Sequence, residues 1–141
     1  MIDPIDQKII DVLIEDSRMS YVAIAKKIKR SESTVRQRIS KLIAKGIIEK
    51  YSIEIDPAAL GYRTVAFIGM NVDPPKLLKV LKALKKIKGL VTIATTTGDY
   101  MVLCEVWAED GVRLTEIAEK IEEVDGVKEV RPSIVLDKYK G

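Results

Sequence analysis

The sequence predicts an α+β protein of two units, a three-helix N-terminal unit and a C-terminal unit in βαββαβ order. Three observations predict it. Apolar residues recur at helical spacing in three stretches before residue 50. Beyond residue 63, runs rich in β-branched residues alternate with two amphipathic stretches. Charge is also segregated. Arg18 to Lys50 holds ten basic residues against two acidic ones, Glu32 and Glu49, in a chain whose net charge is +3. The expected organisation is a three-helix unit over residues 1–50, a strand and linker over 51–63, and the βαββαβ unit over 64–141.

The elements follow in order. Asp3-Pro4 is a helix start, with a capping residue followed by proline at the first helical position. Ile5, Ile9, Val12 and Leu13 carry that helix to about Glu15. A second helix runs from Ser20 to Lys29 on Val22, Ile24, Ala25 and Ile28. After the short turn Lys29-Arg30, a third opens at Ser31 or Ser33 and runs to Lys45, burying Val35, Ile39, Leu42 and Ile43. Gly46 stops it. From Ile47 to Asp56, Lys50, Ser52 and Glu54 alternate with Tyr51, Ile53 and Ile55, which predicts one strand or two short ones. Two helices joined by a tight turn, the second basic and amphipathic, describe a helix-turn-helix. The strand after them would make it winged.

Pro57 to Gly61 reads as a linker. Strands are expected over Thr64–Val72, Leu90–Thr97, Tyr100–Ala108 and Val127 to about Lys138. The first helix between them opens at Pro74-Pro75, buries Leu77, Val80, Leu81, Leu84 and Ile87, and ends at Gly89. The second spans Asp110 to Val124 and buries Leu114, Ile117, Ala118 and Ile121. This order is the ferredoxin-like unit, with both helices on one sheet face because crossovers are right-handed. The strands are apolar on both faces. Met101, Leu103 and Trp107 line one face of their strand, and Val102, Cys104 and Val106 the other. A sheet apolar on both sides needs a second cover. A second copy of the chain is the simplest one, giving a symmetric dimer. The two helices differ in sign: Lys76 to Lys88 holds six lysines, and Glu105 to Glu129 nine carboxylates. Solubility and helix pairing are the plain reading of both.

Composition removes several function classes. There is no histidine, and Cys104 is the single cysteine. Histidine triads, His-based metal sites and an internal disulfide are therefore out. No catalytic constellation, metal site or cofactor is expected. Cys104 reads as a packing residue. The start is acidic, and no apolar run suits a membrane helix. The expected protein is cytoplasmic, with no membrane partner.

The third helix carries the site for double-stranded DNA. With Val35, Ile39 and Leu42 inward, Ser33, Thr34, Gln37, Ser40 and Lys41 face outward, flanked by Arg36 and Arg38. Gln suits adenine, Arg suits guanine, and hydroxyls suit a base or a phosphate. Flanking cations, together with Ser31, Lys29 and Arg30 at the turn, suit phosphates. Arg18, Lys26 and Lys27 add further backbone contacts.

Three stretches, "IDPIDQKIIDVLIEDSR", "SESTVRQRISKLIAKGIIEKYSIEIDPAALGY" and "TTTGDYM", follow one another in an order and spacing that resembles the Lrp/AsnC (feast/famine) family, above all its archaeal LrpA-like members. The resemblance spans essentially the whole chain. It implies a sequence-specific DNA-binding transcriptional regulator, by default a repressor, including of its own gene. It also implies a C-terminal domain of the RAM type that pairs sheets into homodimers, assembles tetramers or octamers, and senses an amino acid. An architectural DNA-coating protein with little sequence preference is the alternative.

By position, Ser31 to Lys45 becomes the recognition helix. The turn Thr97-Gly98-Asp99-Tyr100, followed by Met101, becomes the effector loop, with Pro132, Ser133 and Ile134 of the last strand as its other wall. Turn amides suit a carboxylate and Asp99 an ammonium. By itself Gly98-Asp99 is a hairpin turn. Two positions depart from the family pattern. Met101 stands where many amino-acid-responsive members have Asp. Lys29-Arg30 stands where Gly and an apolar residue are common, so a non-glycine residue is expected to take a positive φ in this turn.

Overall fold

The computed structural model describes residues 2–141, so Met1, with which the expected first unit begins, lies outside them. The chain separates into two compact units, Met1–Glu54 and Ile55–Gly141. Each has its own apolar core.

In the first unit, α1 (Pro4–Glu15), α2 (Tyr21–Ile28) and α3 (Glu32–Ala44) surround Ile9, Ile24, Ile28, Val35 and Ile39. Each helix starts where the sequence supplies a cap. Asp3 accepts the Asp6 amide at 2.8 Å, and the Asp6 carboxylate accepts the Asp3 amide at 3.3 Å, closing a reciprocal capping box. Ser20 and Ser31 accept the amides of Ala23 and Thr34 in the same way. Lys29 ends α2 in the left-handed region at φ 58°, as its turn position requires.

Two expectations fail here. Residues 47–56 form no strand, because an alternating pattern makes a strand only when a partner accepts its ladder hydrogen bonds. Ile43, expected inside, is 48% exposed. It follows Leu42 by 100° on the helix, which turns it out of the narrow stripe set by Val35, Ile39 and Leu42.

The second unit begins with a 3-10 turn over Pro57–Leu60, in the segment read as a linker. Four strands follow: β1 (Thr64–Val72), β2 (Leu90–Thr95), β3 (Val102–Ala108) and β4 (Val127–Ile134). They form one sheet in the order β2-β3-β1-β4, with every neighbouring pair antiparallel. Two helices, α4 (Leu77–Leu84) and α5 (Gly111–Glu122), cross on the same face. Pro74 and Pro75 lie in a 3-10 turn that precedes α4, not in the helix itself. The strands end earlier than expected: Thr96–Met101 is a turn, and β4 ends at Ile134, with the Val135 amide still donating to the Val65 carbonyl at 2.8 Å.

The helices cover Ala66, Ile68, Met70 and Val72 of β1 and Val102, Cys104, Val106 and Ala108 of β3, all fully buried. Burial pushes the Cys104 thiol up to about 11, so it stays protonated and inert near neutral pH. The opposite sheet face carries Val65, Phe67, Leu103 and Trp107. Phe67 is 47% exposed. Met101, expected on that face, instead packs against the helix-side core, since it precedes the first paired residue of β3.

Candidate DNA-reading helix and effector loop

On α3, the expected outward set is exposed: Ser33, Gln37, Ser40 and Lys41, with Thr34 half-buried at the N-terminal turn. Ser31 does two things there. Its hydroxyl accepts the Thr34 amide, and it shares hydrogen bonds with the hydroxyls of Thr34 (2.8 Å) and Ser33 (3.2 Å). Three hydroxyls therefore gather at a helix N-terminus whose free amides and dipole favour an anion. Arg36 lies on the flank, its guanidinium 5.1 Å from the Tyr21 ring centre and 2.7 Å from Glu32. Both holds are exposed and weak, about 1 kcal/mol or less each.

Arg38 lies on the flank of α3 and is also engaged within the unit. Its guanidinium donates to Asp3 and, at 3.3 Å, to Asp6, so it ties α3 to the start of α1. The Asp6 amide and the Arg38 guanidinium together hold the Asp3 carboxyl below the usual carboxylate range. The helical periodicity of α3 placed Arg38 on the flank. Its carboxylate partners lie more than thirty residues upstream and leave no mark on that periodicity.

In the second unit, Thr97, Gly98 and Asp99 are exposed, and Tyr100 and Met101 are half-buried. The turn is held from within. Thr96 donates its hydroxyl to the Tyr100 carbonyl and its amide to the Met101 carbonyl. Two of the amides expected to face a carboxylate are engaged already. The Gly98 amide donates to Thr96 Oγ1 (3.2 Å), and the Met101 amide to Asn71 Oδ1 (3.1 Å).

Two residues outside the expected set, Gly69 and Asn71, shape this loop. The Tyr100 ring lies against the Gly69 backbone, so close that a Cβ there would sit 2.5 Å from Tyr100 Cδ2. Asn71 joins the loop to β4, because its Nδ2 donates to Glu129 at 2.7 Å. Arg131 is the β4 residue paired with Gly69. Ser133 pairs instead with Phe67, two residues before Gly69 in β1 and farther from the Tyr100 contact. A glycine and an asparagine inside an otherwise apolar strand were the available signals.

A helix-turn-helix with a capped, hydroxyl-rich and basic second helix, joined to a ferredoxin-like unit, defines a DNA-binding transcriptional regulator. A family model described as winged helix-turn-helix DNA-binding matches residues 2–49. A second, described as the Lrp/AsnC ligand binding domain, matches residues 65–141. The chain belongs to the Lrp/AsnC family. It is 41% identical over 141 residues to the HTH-type transcriptional regulator LrpA of Pyrococcus horikoshii, covering 99% of this chain and 100% of that protein. It is 31% identical to LrpA1 of Halobacterium salinarum over 96% of each chain. These relatives are named as regulators, not enzymes. The structure of E. coli AsnC superposes with a TM-score of 0.88 at 27% identity, over 98% of this chain and 94% of that one. A Neisseria meningitidis regulator solved with L-methionine shares the fold, with a TM-score of 0.92 at 22% identity over 100% and 94%. Among the described residues, no helix is long and apolar enough to cross a membrane.

Proposed function

We propose that this chain is a sequence-specific repressor that binds pseudo-palindromic DNA as a homodimer and assembles into tetramers or octamers. The observation that carries it is the exposed face of α3, where Gln37, Ser40 and Lys41 follow a hydroxyl-lined N-terminus. Gln37 reads a base edge, while Ser31, Ser33 and Thr34 take a phosphate. Arg36, Lys41, Lys29 and Arg30 supply the flanking charge. The dimer forms through the sheet face that carries Phe67 and Trp107. It places two reading helices on one duplex.

Binding to a selected operator and to scrambled duplex, followed against salt, tests this reading. Each neutralised phosphate steepens the log–log slope by about 0.9. Gln37→Ala is expected to cost about 1–3 kcal/mol on the operator and little on scrambled DNA. Equal losses on both would favour a coating protein without sequence preference. Lys29→Gly is a second test. Relief of the left-handed lysine is expected to stabilise the unit by about 1 kcal/mol in denaturant melts, and loss of one phosphate contact to make the salt slope shallower by about 0.9. An unchanged slope would remove Lys29 from the DNA surface.

The second unit senses a small zwitterion, an amino acid. Support comes from the match to a ligand-binding domain model and from structural neighbours solved with L-methionine. The site is built from the turn Thr97–Met101 with Asp99 for the ammonium, from Arg131 beside Gly69 for the carboxylate, and from Ser133 of a neighbouring copy. Met101 packs inward, leaving an apolar or small effector as the better fit.

A further inference from the structure

Arg36 differs from the other cations around the exposed face of α3. Lys29, Arg30 and Lys41 make no ion pair among the described residues. Arg36 is held on two sides. Glu32, one turn earlier on α3, accepts from its Nη2 at 2.7 Å. Tyr21, the first residue of α2, offers its ring to the guanidinium carbon at 5.1 Å. That ring is itself anchored, because Tyr21 packs against the core of Ile9, Ile24 and Val35. A planar guanidinium with a ring on one side and a carboxylate on another has few orientations left. It still has donors to spare, since it carries five N–H groups. Glu32 also draws it towards the N-terminal end of α3, the end that meets base edges in a helix-turn-helix.

Charge decides what the remaining donors meet. With Glu32 beside it, Arg36 adds little net positive charge, and the carboxylate repels a phosphate. A base edge suits the pair better. In the major groove guanine presents two acceptors, O6 and N7, and its cytosine presents the N4 donor. Arg36 and Glu32 present the complement, a forked donor beside an acceptor. We propose that Tyr21 and Glu32 are positioning residues that aim Arg36 at the guanine of one G·C pair in each half-site. The two holds are weak in water and strengthen on the duplex, where the groove excludes water from both. This deepens the reading of α3 proposed above and rests on it. Arg36 leaves the flanking charge and joins Gln37 as a reader of bases.

The test is binding to the selected operator, to the same duplex with each G·C pair changed to A·T in turn, and to scrambled duplex. With the unmodified chain, one such change in each half-site is expected to weaken binding about tenfold, and 7-deazaguanine there, which lacks the N7 acceptor, to weaken it in part. Glu32→Gln is expected to remove most of this preference. By releasing the Arg36 charge it should also tighten binding to scrambled duplex and steepen that salt slope by about 0.9. Tyr21→Leu should lose the preference at the same pair, and Tyr21→Phe, which keeps the ring, should retain it. Denaturant melts of each variant separate these effects from loss of folding, which weakens binding to every duplex alike. An unchanged G·C preference in Glu32→Gln overturns the proposal, as does an equal loss on every duplex or loss of the preference in Tyr21→Phe. Gln37→Ala keeps the two readings apart. If it discriminates operator from scrambled duplex while Glu32→Gln keeps the G·C preference, only this proposal falls. If neither variant discriminates, base reading by α3 falls with it.

Discussion

Ile39→Ala is expected to unfold the N-terminal unit and leave the C-terminal unit folded. Ile39 is 1% exposed and sits among Ile9, Ile24 and Val35 at the centre of a small core. Truncating such a residue costs about 2–5 kcal/mol, transfer and cavity together. A unit spanning Met1–Glu54 has roughly 3–8 kcal/mol of stability to lose, at about 0.05–0.15 kcal/mol per residue. The two cores share no residue, so the damage stays local. The chain offers a clean readout, since its one tryptophan, Trp107, lies in the second unit. Helical circular dichroism and DNA binding should fall while the Trp107 fluorescence transition in denaturant stays put. A coincident shift of both signals would mean the units unfold as one.

Gly69→Ala should disorganise the effector loop. Its Cβ would meet Tyr100 at Cδ2 and, at 2.6 Å, at Cγ, the root of the ring and not a flexible tip. The ring must leave the β1 backbone. The Tyr100 and Met101 carbonyls that bond Thr96, and the Met101 amide on Asn71, then lose their geometry. Overpacking of this kind costs about 1–3 kcal/mol. Denaturant unfolding followed at Trp107 should show that loss. Calorimetric titration with pooled amino acids should show weaker or absent heat compared with the unmodified chain. Retained stability with Tyr100 still protected would mean that the backbone of β1 yields instead.

Much of this was legible in the residue order. Asp3, Ser20 and Ser31 were readable as helix starts because a cap is a local hydrogen bond, made within three residues. The βαββαβ order was readable because helical and strand periodicity are also local. The positive φ that the family resemblance implies for the Lys29-Arg30 turn falls on Lys29. What was not legible falls where the partner is distant. The alternating run 47–56 has strand character without a ladder partner in its own unit. Arg38 matched the flank of a reading helix, yet Asp3 and Asp6 hold it from across the unit. At the loop, Thr97–Met101 was visible as a turn. Gly69 and Asn71 were not, because sheet pairing brings them there from β1.

By itself, then, the sequence determined the element types, the two-unit division of charge and the outward face of α3, all of which depend on neighbours within about one or two turns of chain. Only the tertiary structure decided which charged groups are engaged by distant partners and which loop amides are already spent. Those outcomes depend on sheet register and helix crossing, which join residues 30 to 60 positions apart and leave no periodic trace in the chain.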